Sequence, residues 1–273
     1  IYNWGDYIDP ALITKFEKET GYQVDYETFD SNESMLTKIR QGGTNYDLVV
    51  PSEYTVQRMK KEHLLAPLDH RRLTNLHYIG NQFLNQPFDR GNHYSVPYFW
   101  GTLGIIYNDQ KVSKQDVQHW QQLWNPRLKN NLMLIDSARD VFAIALIAQG
   151  HSVNTTDYQT LKQAQNRLKD LTPNVKAIVA DEMKMYMEQG EAAVGVTYSG
   201  DAREMMSVNH HLHYVVPSEG SNIWFDNMVI PRSARNKAAA YAFMNFMLKP
   251  QNAAQNARYV GYATPNQAAK HLL

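Results

Sequence analysis

The chain has 273 residues, of which 43% are hydrophobic, 20% charged and 11% aromatic; this is enough apolar material for a real core and excludes disorder, collagen and a disulfide miniprotein. Lys+Arg and Asp+Glu both number 27, so the formal net charge is zero and the basic field of a nucleic-acid binder is missing. Cysteine is absent, which closes off disulfides, thiolate metal sites and cysteine nucleophiles.

No run reaches the roughly 18 uninterrupted apolar residues of a membrane span. The longest apolar segment, Val141 to Ala148, is followed by Gln149 and Gly150. The chain opens at Ile1 directly in a strand-like run, so a leader or anchor is expected to have been trimmed from a processed form, and export is compatible with the lack of cysteine.

The first strand spans Ile1 to Trp4, and a helix follows in which Asp9 caps, Pro10 takes the first helical position, Leu12, Ile13 and Phe16 form one stripe, and Gly21 stops it. Next come a strand from Tyr22 to Phe29, a helix from Glu33 to Arg40 ended by Gly42-Gly43, a buried strand from Asp47 to Pro51 and a helix near Tyr54 to Lys61. This βαβαβα order is a parallel-sheet rhythm. A loop-rich stretch from Asp69 to Asn92 leads to one long strand, Tyr98 to Asn108, interrupted by Gly101 and Gly104 and read as a crossover.

A second αβ series starts with a helix near Lys114 to Leu123, a strand Leu132 to Ile135 and an apolar helix Ala138 to Gln149. Leu161, Ala164, Leu168 and Leu171 then mark one face of a helix ending before Pro173. A strand from Ala192 to Tyr198 closes on Ser199-Gly200, and another from Asn222 to Ile230 leads into an Ala-rich helix, Lys237 to Leu248, and a last helix near Pro250 to Tyr259. Two αβ series joined by two extended strands predict an α/β protein of two lobes, with the crossover strands as hinge and a ligand cleft where the lobes meet. The boundaries expected are 1–102 for the first segment of lobe 1, 103–229 for lobe 2 and 230–273 for the return to lobe 1.

Three segments place an aromatic beside an aspartate: Trp4, Asp6 and Tyr7; Tyr198 and Asp201; Trp224 and Asp226. Carboxylates satisfy ammonium protons while ring faces attract the charge and cover methylenes, so the recurrence suits a cation with an apolar body, such as a polyamine. Taken singly, each aspartate is more often a cap or turn residue, and Trp4, Tyr198 and Trp224 are more often core. Ser137 and Asp140 have the spacing of a capping box, and Asp136 can cap as well. His210, His211 and His213 look like a metal cluster, but strand alternation puts only His211 and His213 on one face, which favours a surface reading. Phosphate-binding glycine loops, a G-x-S-x-G elbow and H-E-x-x-H are all missing.

The runs Tyr2-Asn3-Trp4-Gly5-Asp6-Tyr7, Asp30-Ser31-Asn32-Glu33, Tyr46-Asp47-Leu48-Val49-Val50-Pro51-Ser52 and Gly261-Tyr262-Ala263-Thr264-Pro265-Asn266 resemble the spermidine/putrescine-binding proteins of bacterial ABC importers. Tyr98-Phe99-Trp100-Gly101-Thr102, Leu123-Trp124-Asn125-Pro126 and Ser137-Ala138-Arg139-Asp140 follow in the family's order, so the resemblance covers essentially the whole chain. It implies a type II periplasmic-binding-protein fold whose two lobes close on a polyamine. By position, Trp4, Tyr198 and Tyr262 match the aromatics that box the methylene chain, and Trp224 lies near one terminal amine. Ser52 and Tyr54 match polar wall positions, and Asp226 and Asp140 match the acids at one ammonium, Asp140 standing where a longer glutamate is common. Asp6, with Tyr7 beside it, matches an acid at the other end.

Two departures bear on ligand choice. Ser137 stands where spermidine-selective relatives carry an acid, and Asp201 matches an acid of putrescine-preferring relatives, which leans toward putrescine or mixed specificity. The family also continues past the position of Leu273, so a C-terminal tail is expected to be missing or naturally short.

The resemblance therefore implies a non-enzymatic, extracytoplasmic receptor, in a periplasm or on a lipid anchor. It would be a monomer with a polyamine ligand and the membrane permease of an ABC importer as partners, without nucleic acid, cofactor or metal. The alternatives are the same fold with another solute (a sugar, an amino acid or ferric ion) and a carboxylate-dependent glycoside hydrolase.

Overall fold

The computed structural model describes residues 1–273. The chain divides into two units, Ile1–Trp100 with Trp224–Leu273, and Gly101–Ile223.

Unit 1 opens with β1 (Tyr2–Trp4) and α1 (Pro10–Thr20). Asp9 accepts from the amide of Ala11, Pro10 starts the helix, and Gly21 at φ 76° ends it, so both ends are set by residues suited to those positions. Then come β2 (Glu27–Phe29), α2 (Asn32–Gln41) capped by Ser31, and α3 (Glu53–Lys61). β1 pairs with β2 in parallel, Tyr2 opposite Glu27 and Trp4 opposite Phe29. The strand expected from Tyr22 starts only at Glu27, the residue that pairs with Tyr2 of β1.

The expected strand Asp47 to Pro51 narrows to a bridge at Val49, parallel to Tyr2 on one side and antiparallel to Val229 on the other. Pro51 has no amide hydrogen with which to extend the ladder. Tyr2, Phe29, Met35, Ile39, Val49, Val56, Met59 and Val229 form the core that results. Between Asp69 and Asn92 the backbone makes four 3-10 turns, at His70–Arg72, Leu76–Tyr78, Asn81–Phe83 and Arg90–Asn92.

β3 (Ser95–Asn108) runs without a break through Gly101 and Gly104 and carries the chain into unit 2. Gly104 is needed there: a Cβ would stand 2.4 Å from the Tyr214 ring. The helix expected at Lys114 to Leu123 is instead two 3-10 segments, Lys114–Val117 and Trp120–Trp124, because His119 is extended and starts a second capped turn. That turn seats the fully buried Trp120, whose indole nitrogen donates to the carbonyl of Gly220 at 2.7 Å.

β4 (Leu132–Ile135) and α4 (Ala138–Ala148) follow as expected, then α5 (Tyr158–Leu171), β5 (Val175–Val179), α6 (Glu182–Glu188), β6 (Val194–Tyr198), α7 (Ser199–Val208) and β7 (Leu212–Val215). The sheet order is β5-β4-β6-β3-β7, with β4 parallel to both its neighbours and β3 antiparallel to β6 and β7. Strand alternation divides the core: Leu103, Ile105, Leu132, Leu134, Val194 and Val196 pack with Trp120 and Ile144, while Ile106 and Met133 pack on Met183, Met187 and Met205.

β8 (Ile223–Val229) returns the chain to unit 1, which α8 (Lys237–Leu248), α9 (Pro250–Val260) and α10 (Gln267–Lys270) complete.

Candidate functional site

In unit 1 the polar centre is Asp226 on β8, 7% exposed. Ser52 precedes α3 at its N-cap position, yet its hydroxyl does not cap the helix; it donates to Asp226 Oδ1 at 2.6 Å. Tyr7 donates its phenol to Asp226 Oδ2, also at 2.6 Å. Two donors on two different oxygens fix the plane of the carboxylate. Burial, then the charge of Asp226 and the hydrogen bond to it, push the Tyr7 phenol well above its ordinary pKa, so it remains a donor across the physiological range.

Tyr7 is itself held. Tyr98 donates its hydroxyl to the Tyr7 carbonyl and accepts from Asn256 at 3.0 Å, and its own pKa is raised, chiefly by burial. Around this pair the rings of Tyr98, Phe99 and Tyr262 stand 5.2 to 5.6 Å from that of Tyr7, and Trp224 meets Tyr262 edge-on at 5.2 Å. The structure therefore brings Tyr7, Ser52, Trp224, Asp226 and Tyr262 together around one oriented carboxylate.

Tyr54 joins through Asn32, a buried residue at the start of α2 that the sequence reading did not single out. The Asn32 amide donates to Ser52 Oγ at 3.1 Å and to the Tyr54 hydroxyl at 2.9 Å, while its oxygen accepts from the Ser52 amide at 3.0 Å. The Tyr54 hydroxyl in turn donates to Glu33 Oε1 at 3.2 Å. Glu53, also unanticipated, accepts from the amide of Phe225 at 3.0 Å. Trp4 is half-buried, tied to the Val50 carbonyl at 2.8 Å and tilted against Phe29. Asp6 takes no part in the Asp226 cluster; it lies exposed at φ 51°, and its charge, after burial, helps raise the Tyr26 phenol to about 12.

In unit 2 the matching feature is Asp140, 7% exposed in the first turn of α4. Ser137 caps the helix by accepting from the Asp140 amide at 3.3 Å, but the reciprocal half of the expected capping box does not form. The Asp140 carboxylate turns instead to the Tyr198 hydroxyl, at 2.5 Å, and to Asn222 Nδ2, at 3.4 Å. Asn222 was not foreseen; it stands one residue before β8, and an amide at the edge of an expected strand carries no sequence signal of its own. Asp201 sits in the first turn of α7, 3.5 Å from Lys184 Nζ, which also pairs with Glu204 at 2.6 Å.

No three His, Asp or Glu side chains are placed to hold a metal ion. His211 and His213 both bond Asp109, at 3.0 and 2.8 Å, and lower its carboxyl pKa, while about half of each imidazole stays exposed. No helix is long and apolar enough to cross a membrane.

The model of the bacterial extracellular solute-binding protein family matches residues 11–271. The chain belongs to this family. Its relatives include the spermidine/putrescine-binding periplasmic protein of Escherichia coli (strain K12), 42% identical over all of this chain and 78% of the relative. Among solved structures, the spermidine/putrescine substrate-binding protein PotD from Streptococcus pneumoniae is 58% identical with a TM-score of 0.87, over all of this chain and 84% of that one. A Treponema pallidum lipoprotein of the same type is 31% identical with a TM-score of 0.91, over 98% of this chain and 86% of that one. An extracytoplasmic solute-binding protein of the periplasmic-binding-protein fold is a receptor and not an enzyme, which removes the glycoside-hydrolase alternative.

Proposed function

We propose that this solute-binding protein captures a protonated polyamine, putrescine or spermidine, outside the cytoplasm and, as a monomer, delivers it to the membrane permease of an ABC importer. The observation that carries the reading is Asp226, a buried carboxylate oriented by Tyr7 and Ser52 at 2.6 Å each, beside the Trp224–Tyr262 ring pair. Asp226 is the ammonium acceptor supplied by unit 1 and Asp140 the one supplied by unit 2, with Trp4, Tyr198 and Tyr262 covering methylenes, Ser52 and Tyr54 as polar wall, and Asp6 a peripheral acid. The balanced overall charge supports recognition by local pairing rather than by a long-range field, and offers nothing to a nucleic acid.

The energetics are adequate. Micromolar capture needs about 8 kcal/mol. Four buried methylenes contribute about 3 kcal/mol, each ring facing a cation contributes about 0.5 to 2 kcal/mol, and the ammonium–carboxylate pairs add to these before association costs are subtracted. The neutral hydroxyl of Ser137 cannot neutralise a central ammonium, which supports putrescine or mixed preference over strict spermidine selectivity.

Calorimetric titration of the ligand-stripped protein with putrescine, spermidine, spermine and a neutral diol of matching length tests the reading. Tight one-to-one binding of amines, with no heat from the diol, is expected. Silence toward every amine would refute it and leave another solute on the same fold.

A further inference from the structure

The acceptor of unit 2 has a neighbour that its charge pattern in sequence does not reveal. Tyr198, whose hydroxyl holds Asp140, ends β6, and α7 begins at the next residue, so Asp201 falls in the turn directly after it. Lys184, from α6, reaches that turn, 3.5 Å from Asp201 Oδ1 and 2.6 Å from Glu204 Oε2.

The lysine is built in rather than draped over the surface. Its side chain is only 25% exposed, and its flanking Met183, one turn from Met187, packs with Ala202 and Met205 of α7, all of them fully or almost fully buried. Burial works against its charge, but the carboxylates of Asp201, Glu204 and Asp181 outweigh it and hold the ammonium above its ordinary pKa. A fixed positive charge therefore stands beside the first turn of α7.

We propose that Lys184 sets how much negative charge this end of the binding site presents, and is thereby a specificity-determining residue among polyamines of different charge. The inference rests on the polyamine reading above. With Lys184 in place the negative charge that Asp201 and Glu204 present toward a ligand is partly offset; without it that offset is lost. Since the electrostatic gain scales with the charge of the ligand, a trication benefits more than a dication.

The test is titration of Lys184→Gln with putrescine, spermidine and spermine at low and moderate salt, beside Lys162→Gln, which removes the same charge from an exposed position on α5. Lys184→Gln is expected to tighten putrescine by about threefold and spermidine by about fivefold, with a steeper salt dependence, as the upper range of a partly exposed charge contact allows. Lys162→Gln should change nothing. Asp201→Asn, which leaves the lysine with Glu204 and Asp181, should weaken both amines with the same ranking and reports on the pair without touching Lys184. Wild-type protein that binds no amine would overturn the polyamine reading and this inference with it. Wild-type protein that binds, with Lys184→Gln within twofold for all three amines or with an equal gain in Lys162→Gln, would overturn the inference alone.

Discussion

Replacing Asp226 by Asn removes one charge and changes almost no volume, which separates binding from folding. In the wild type each carboxylate oxygen accepts one hydroxyl at 2.6 Å. Hydrogen bonds to a charged group contribute about 1.5 to 3 kcal/mol each. The asparagine oxygen still accepts from one hydroxyl, while its NH2 forces the other hydroxyl to turn and accept, so about one such bond is weakened. Relief of the burial cost of a carboxylate offsets part of that. The net change in unfolding free energy is therefore expected within about 2 kcal/mol, measured by urea titration followed by circular dichroism. Binding has no such offset: taking away one partner of a desolvated ammonium–carboxylate pair costs about 2 to 5 kcal/mol, or roughly 30- to 4,000-fold in Kd. Tyr7→Phe keeps the charge and loses one of its two clamps, so it should weaken putrescine by about tenfold, between the wild type and Asp226→Asn. A folded Asp226→Asn protein with a putrescine Kd within threefold of the wild type would refute the assignment of Asp226 as ammonium acceptor.

Asn32→Ala deletes three hydrogen bonds at a 5%-exposed position and strands the Ser52 amide. It should destabilise the protein by about 2 to 4 kcal/mol in urea unfolding, and a loss below about 1 kcal/mol would show that water replaces the amide freely. Glu62 is held by Arg40 and Arg58, which pull its carboxyl from the ordinary 4.5 to about 2. A carboxyl more acidic in the folded state stabilises at pH values above its unfolded value and loses that contribution as pH falls from about 4.5 to about 2. Glu62→Gln should thus be less stable than the wild type at neutral pH and indistinguishable from it near pH 2; an equal gap at both ends would remove the ion pairs as its cause.

The elements that were legible in the sequence are those whose ends carry their own chemistry. Asp9-Pro10 and Gly21 delimit α1, and α8 runs from Lys237 to Leu248 as its Ala-rich apolar pattern indicates. β5, α6 and α7 were not legible, and β7 only in the strand-like context of His211 and His213. Ser199-Gly200 has the composition of a turn, yet α7 starts on it directly after β6, and Lys176 and Ile178 of the edge strand β5 obscure its alternation. At the site, the recurrence of an aromatic near an acid pointed to Tyr7, Trp224 and Asp226, because pairing a carboxylate with rings is a property of residue types. What it could not supply was the polar wiring: Asn32, Asn222 and Lys184 come from other segments, and nothing local to them signals a partner 17 to 82 positions away. Asp140 shows the same limit. Its spacing from Ser137 indicated a capping box, and only the fold reveals that Tyr198 takes the carboxylate instead.

The protein holds its buried acids in two physically different ways, and the difference separates structure from function. Asp89, 1% exposed, accepts from Ser95 Oγ at 2.6 Å and from the Tyr94 amide at 3.0 Å, and Lys60 lies 3.3 Å away. A lysine orients an acid and cancels its charge together, which suits a group whose task is to tie a loop to a helix. Asp226 and Asp140 are gripped by phenol and hydroxyl oxygens, Tyr7 and Ser52 in unit 1 and Tyr198 in unit 2. These donors fix the direction of the lone pairs without themselves bringing a cancelling charge, and the raised pKa of Tyr7 keeps its proton on the oxygen at any pH at which a polyamine is charged. An acceptor for an ammonium needs lone pairs held in a fixed direction, which neutral hydroxyl donors provide. On the same criterion Asp201, which shares its lysine with Glu204, stands between the two classes. An acid whose charge is partly cancelled adjusts selectivity more readily than it supplies affinity.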